Sequence, residues 1–136
     1  MGLIAINVEP AKNIAEESVR NGVYTVNNFF DKSIKVSGLK SKAKLITGNN
    51  VFGHCNLHPI MEGVKELLDK DGYLILECAY WLKTIQNRDA FQIYSEHILY
   101  QHVKGLKNFF DNYGFDLFMC EFTEIQCGTV RAYVKW

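Results

Sequence analysis

No glycine-rich turn of the GxGxxG type occurs in this 136-residue sequence, although ten glycines are available. The usual strand-to-helix loop that cradles a nucleotide phosphate is therefore absent, and the turns at Gly72 and Gly128 lack the following helix it would need. A surplus of one charge is missing too: fifteen Lys plus Arg balance fifteen Asp plus Glu. That excludes the basic excess by which proteins hold nucleic acid or an anionic membrane surface. No apolar run reaches the roughly 20 residues that cross a bilayer, and no signal-peptide pattern is seen. The four cysteines form no CxxC pair, so neither zinc spacing nor a disulfide framework is expected. Cys78 and Cys120 lie in apolar strand-like runs and read as small buried hydrophobes. The expectation is a reduced, cytoplasmic protein with no structural metal, no nucleic-acid partner and no membrane association.

What is present is an ordinary apolar fraction, a high aromatic share and a length that suits one domain spanning residues 1–136. Residues 2–8 (GLIAINV) read as a buried strand that stops at Glu9-Pro10. Residues 11–21 carry a helical stripe, Ile14, Ala15 and Val19, closed by Asn21-Gly22. Residues 23–26 form a brief second strand, and residues 31–42 a polar surface turn or helix. Residues 43–47 make a third strand. Residues 60–68 place Ile60, Met61, Val64, Leu67 and Leu68 on one helical face. Asp71-Gly72 reads as a turn before a strand at 73–79. Residues 103–113 form an amphipathic helix, and residues 115–125 and 129–136 pair as an antiparallel hairpin. Strand–helix alternation followed by a hairpin predicts an α/β fold, mostly parallel, with helices on both faces.

In such sheets ligands lie outside the carboxyl ends of the strands. Glu9, Asn28 with Phe29, Asn50 and the run from Glu77 to Tyr80 occupy those places. A carboxylate at a strand end suits a ribose diol, since its two oxygens accept from both hydroxyls. It equally suits the positive end of the following helix. Asn50 and His54 either orient a ligand or cap the helix at 60–68. The densest chemistry lies at 91–97, FQIYSEH, where a phenol, a carboxylate and an imidazole fall within four residues, the side chains of general acid–base work. The simpler reading is that Tyr94 and His97 pack one helical turn apart.

The pieces EPAKNIAEESVRNGV, TVNNFF, KLITGNNVFGH, DGYLILECAYWL, FQIYSEHILY and QCGTVRAYV, in that order, resemble the sugar C-methyltransferase family. These are class I S-adenosylmethionine enzymes that methylate a carbon of a nucleotide-linked deoxysugar. The resemblance covers nearly the whole chain and implies the Rossmann-like class I methyltransferase sheet. It implies that Glu9 holds the cofactor ribose, that Asn28 and Phe29 lie beside the adenine, and that Asn50, Val51 and His54 sit in a loop of the type Asn-Val-x-Ala-His beside the cofactor. Residues 91–97 resemble the catalytic run Phe-Asp-x-Ile-Tyr-His-Glu-His, which makes His97 the general base or its relay, with Tyr94 and Glu96 in support. Tyr80 and Arg131 would meet the acceptor, a nucleotide sugar or other small molecule.

Gln92 and Ser95 depart from the catalytic run, and Gln126-Cys127-Gly128-Thr129 stands where the family has His-Gly-Gly-Ser. By the resemblance the chain starts at the family's second strand, so the first strand and its glycine loop are expected to be missing. A strand absent from the middle of a sheet leaves backbone groups unpaired, at about 1–3 kcal/mol for each one buried. Three readings follow: a C-methyltransferase or part of a split one, completed by a second copy or a complementing chain; a non-catalytic α/β remnant acting as a binding module; or a methyltransferase of another acceptor class.

Overall fold

The computed structural model describes residues 4–36 and 41–136. Residues 2–3 of the expected first strand and 37–40 of the expected polar segment lie outside the described residues. The chain divides into two compact units, one of residues 1–40 with 58–66, the other of residues 41–57 with 67–136.

In the first unit, β1 (Asn7–Val8) and β2 (Thr25–Val26) pair in parallel, joined by α1 (Lys12–Arg20). The helix ends as its sequence dictates. Gly22 takes φ 81, and the amides of Gly22 and Val23 return to the carbonyls of Val19 and Ser18. That is the paired closing pattern a left-handed glycine permits. α2 (Leu57–Leu67) begins earlier than its apolar stripe suggests, because Pro59 falls in the first turn, where its missing N–H costs nothing. Within this unit Gly63 of α2 lies so close to Phe30 and Asp31 that a Cβ there would come within 2.9–3.0 Å of them.

In the second unit, four strands lie in the order β3 (Ala43–Asn49), β4 (Leu68–Ala79), β6 (Thr129–Lys135), β5 (Asp116–Thr123). β3 and β4 run parallel; β4–β6 and β5–β6 are antiparallel. The expected turn at Asp71-Gly72 lies inside β4 rather than before it. The register jumps there, from Ala43 opposite Leu68 to Leu45 opposite Tyr73. The local signal was sound, since the Asp69 carboxylate accepts the Asp71 amide as in a turn. Pairing with β3 absorbs that turn as a bulge in a longer strand.

One face of this sheet is core: Leu74, Leu76, Val130, Ala132 and Val134 are wholly buried, as are Leu106 and Phe110 of α4 (Val103–Asn112). Cys78 shares that face, and burial, with the charges of Glu77 and Cys120 adding, pushes its thiol up to about 12. The other face stays half-exposed at Tyr73, Phe118 and Met119. α3 (Trp81–Gln86) follows β4 directly. Among the described residues no helix is long and apolar enough to cross a membrane.

Because Leu76 is buried on the central strand, Leu76→Ala should lower the unfolding free energy by about 2–5 kcal/mol in a denaturant titration.

Candidate active site

The residues at 91–97 do not form a helix. Asp89 caps a short 3-10 turn, Ala90–Gln92, by accepting the Phe91 amide, and a second turn brings the His97 amide to the Tyr94 carbonyl. Tyr94 and His97 therefore meet across a turn. Tyr94 Oη lies 2.9 Å from His97 Nε2, and His97 Nδ1 lies 2.9 Å from the Gln92 carbonyl.

His54 joins them. It follows β3 in the loop opened by Asn50, whose φ of 55 turns the chain while its amide still reaches the Glu77 carbonyl. The Gly53 carbonyl accepts both the Ile98 and Leu99 amides, which stitches this loop to the segment carrying His97. His54 Nδ1 meets the Glu96 carbonyl at 3.1 Å, and its ring lies 4.6 Å from that of His97. A Cβ added at Gly53 would rest 3.4 Å from His97 Cδ2, an ordinary contact, so the alanine of the resembled loop would fit. Asn50, Gly53, His54, Cys78 and His97 line a cavity of about 10 Å³, room for about one water. At the far end the segment is tied down by Trp81, whose amide bonds the Gln101 carbonyl and whose ring packs on Tyr100.

The other expected site residues fall as follows. The Glu96 carboxylate is exposed, and it is the backbone carbonyl of Glu96 that touches the cluster, through His54. Val51 is exposed at the head of the same loop. His54 Nδ1 is engaged by the Glu96 carbonyl. Tyr80 caps the sheet end of α3 through its carbonyl, and its ring packs on Phe122. Arg131 is committed to a carboxylate pair: its Nε and Nη2 both donate to the buried Glu77, at 3.0 and 2.7 Å, and Nη1 lies 3.6 Å from Glu121.

In the first unit Glu9 follows β1, and its Oε1 accepts the Ala11 amide at 2.8 Å, which is the helix-end role. Asn27 clamps the same corner by donating to the carbonyls of Glu9 and Pro10. Asn28 accepts the Phe29 amide and leaves the Phe29 ring exposed. Sequence reasoning missed the Gln92 and Glu96 carbonyls and Asn27. A backbone carbonyl has no residue-type signature. Asn27 offered one, an asparagine next to a strand end.

Parallel strands, a C-terminal antiparallel pair and a polar cluster past the strand ends define the class I methyltransferase fold. The chain is 25% identical over 131 residues to the C-methyltransferase NovU of Streptomyces niveus, a match covering 94% of this chain and 31% of that protein. The chain thus spans about a third of the curated relative. Among solved structures, magnesium protoporphyrin IX methyltransferase from Synechocystis PCC 6803, with bound SAH, superposes with a TM-score of 0.69 at 11% identity. That match covers 99% of this chain and 65% of the other. The complex of DhpI with SAM and HEP superposes with a TM-score of 0.65 at 10% identity, covering 96% and 67%. No family model matches the chain.

Removing the Arg131 guanidinium would strand the buried Glu77 carboxylate. Arg131→Met should therefore lower the urea midpoint, and Glu77→Gln in the same chain should recover part of the loss. An unchanged midpoint in Arg131→Met would leave Arg131 free for an acceptor.

Proposed function

We propose that this chain is part of an S-adenosylmethionine-dependent methyltransferase that methylates a carbon, with a nucleotide-linked keto-deoxysugar as the acceptor class. The observation that carries the reading is the Tyr94–His97–His54 cluster, held at the strand ends of a class I methyltransferase fold. The similarity to a C-methyltransferase supports carbon rather than oxygen or nitrogen as the target.

Glu9 suits the cofactor ribose: Oε1 is held by the Ala11 amide, which leaves Oε2 for a hydroxyl. Phe29 offers an exposed ring of the kind that stacks on adenine, with Asn28 beside it; for Asn50, Val51 and His54 the cofactor role is what the resemblance implies. When bound, the cofactor supplies an electrophilic methyl group. A carbon beside a keto group becomes nucleophilic only once a proton leaves, and an imidazole near neutrality is matched to that task. His97 is the base in this reading, the Gln92 carbonyl steadies its charged form, and Tyr94 faces the developing enolate oxygen. Tyr80 and Arg131 are the acceptor contacts the resemblance implies. Chemistry of this kind suits the cytoplasm.

Calorimetric titration of S-adenosylmethionine into the chain should give binding heat. Glu9→Ala should weaken affinity about tenfold or more, the loss of a charge-assisted hydrogen bond. His97→Ala should leave it nearly intact. No heat from the parent chain, or equal affinity in Glu9→Ala, would reject the cofactor assignment.

A second reading, a binding module completed by a second copy or a complementing chain, draws on β3. Its hydrogen-bonded neighbour among the described residues is β4 alone. The Asn50 amide points to β4, so by alternation Leu45, Thr47 and Asn49 turn their N–H and C=O groups to the open edge. Leu45 and Tyr73 are 54% and 46% exposed on the adjoining face. Such edges recruit strands. Sedimentation velocity should then show a dimer that Thr47→Pro converts to monomer; a monomer at every concentration excludes the second copy.

A further inference from the structure

The hydrogen bonds around His97 determine where its protons lie, and with them which atom meets the acceptor. A carbonyl oxygen only accepts, so the contact from Nδ1 to the Gln92 carbonyl requires Nδ1 to carry the hydrogen. In the neutral ring Nε2 is then the bare nitrogen, and the Tyr94 hydroxyl at 2.9 Å must be the donor to it. The Glu96 carbonyl imposes the same tautomer on His54. This is the less common form of a free imidazole, selected twice by main-chain oxygens.

Both nitrogens of His97 are consequently occupied, and neither presents a lone pair outward. Tyr94 is 43% exposed, and its oxygen keeps its own lone pairs. We propose that Tyr94 is the atom-level contact with the acceptor and that His97 receives the proton through it, as one relay whose hydrogen bond reverses during the step. The inference rests on the methyltransfer reading for its purpose, not for its geometry.

The acceptor's C–H bond breaks, its electron pair stays behind as the enolate, and the proton bonds to Tyr94 Oη. The former Tyr94 hydroxyl proton passes to His97 Nε2, which becomes an imidazolium still donating from Nδ1 to Gln92. Tyr94 ends neutral. It now accepts from Nε2–H and donates its new hydrogen outward, toward the enolate oxygen. One event thus removes the proton and creates the oxyanion's hydrogen-bond donor. A bare His97 would do the first and not the second. The Gln92 carbonyl acts as a positioning group, since it sets the tautomer on which the direction of transfer depends.

The test is two-bond 1H–15N correlation spectroscopy on the full chain labelled with 15N-histidine and 13C-tyrosine. At neutral pH His97 should show a pyrrole-type Nδ1 and a pyridine-type Nε2, the Nε2 signal displaced by the Tyr94 hydrogen bond. Tyr94→Phe should keep the tautomer and lose that displacement. On acidification the Tyr94 Cζ resonance should move with the same midpoint as His97. Among the described residues the titratable groups around this ring are His54, Tyr94, Tyr100 and, across the small cavity, Cys78, with the Glu96 carboxylate one residue away. The co-titration should therefore persist in His54→Gln and in Glu96→Gln. An Nε2–H tautomer for neutral His97, or a Tyr94 resonance that ignores its titration, would overturn the relay. Neither result depends on cofactor binding, so calorimetry can fail while the relay holds, and the reverse.

Discussion

β4 is hydrogen-bonded along both edges, to β3 in parallel and to β6 in antiparallel sense, and the larger unit takes its arrangement from that strand. Its buried side chains Leu74, Leu76 and Cys78 face the core, while Glu77 on the opposite side is buried and paired with Arg131. Its C-terminal end also sets the site. The Glu77 carbonyl receives the Asn50 amide, which aims the loop bearing His54, and Tyr80 starts the segment that returns with His97.

The Tyr94–His97–His54 cluster is held by main-chain groups more than by side chains. Gly53 supplies one carbonyl to two amides, and Gln92 and Glu96 supply one each to an imidazole. The Gln92 carbonyl holds a ring of its own segment, while the Gly53 and Glu96 carbonyls tie the two segments to each other. Backbone bonds of this type resist substitution, because changing the side chain leaves the carbonyl in place. Gln92 and Ser95 illustrate it: both depart from the resembled catalytic run, yet the Gln92 carbonyl still holds His97.

Arg131 belongs to a different network. Two carboxylates hold its guanidinium, and Tyr133 donates to one of them, Glu121. This polar network occupies the half-exposed face of the sheet, beside Tyr73 and Phe118, whose rings lie 5.9 Å apart. That face mixes rings with paired charges. It differs in kind from the aliphatic face opposite.

Element type was legible in the sequence wherever a local cause sufficed. Gly22 closes α1, Pro10 ends the first strand's run, and alternating apolar residues mark β6; these are properties of neighbouring residues and need no distant partner. The resembled motifs also pointed to His54, Tyr94 and His97, which the fold brings together. What required the tertiary structure was everything set across the chain: a turn at Asp71-Gly72 drawn into a strand by pairing with β3, Arg131 claimed by a glutamate 54 positions away, and two imidazoles held by backbone carbonyls. Side chains are written in the sequence, but every residue carries the same carbonyl. Only the fold decides which of them faces a histidine.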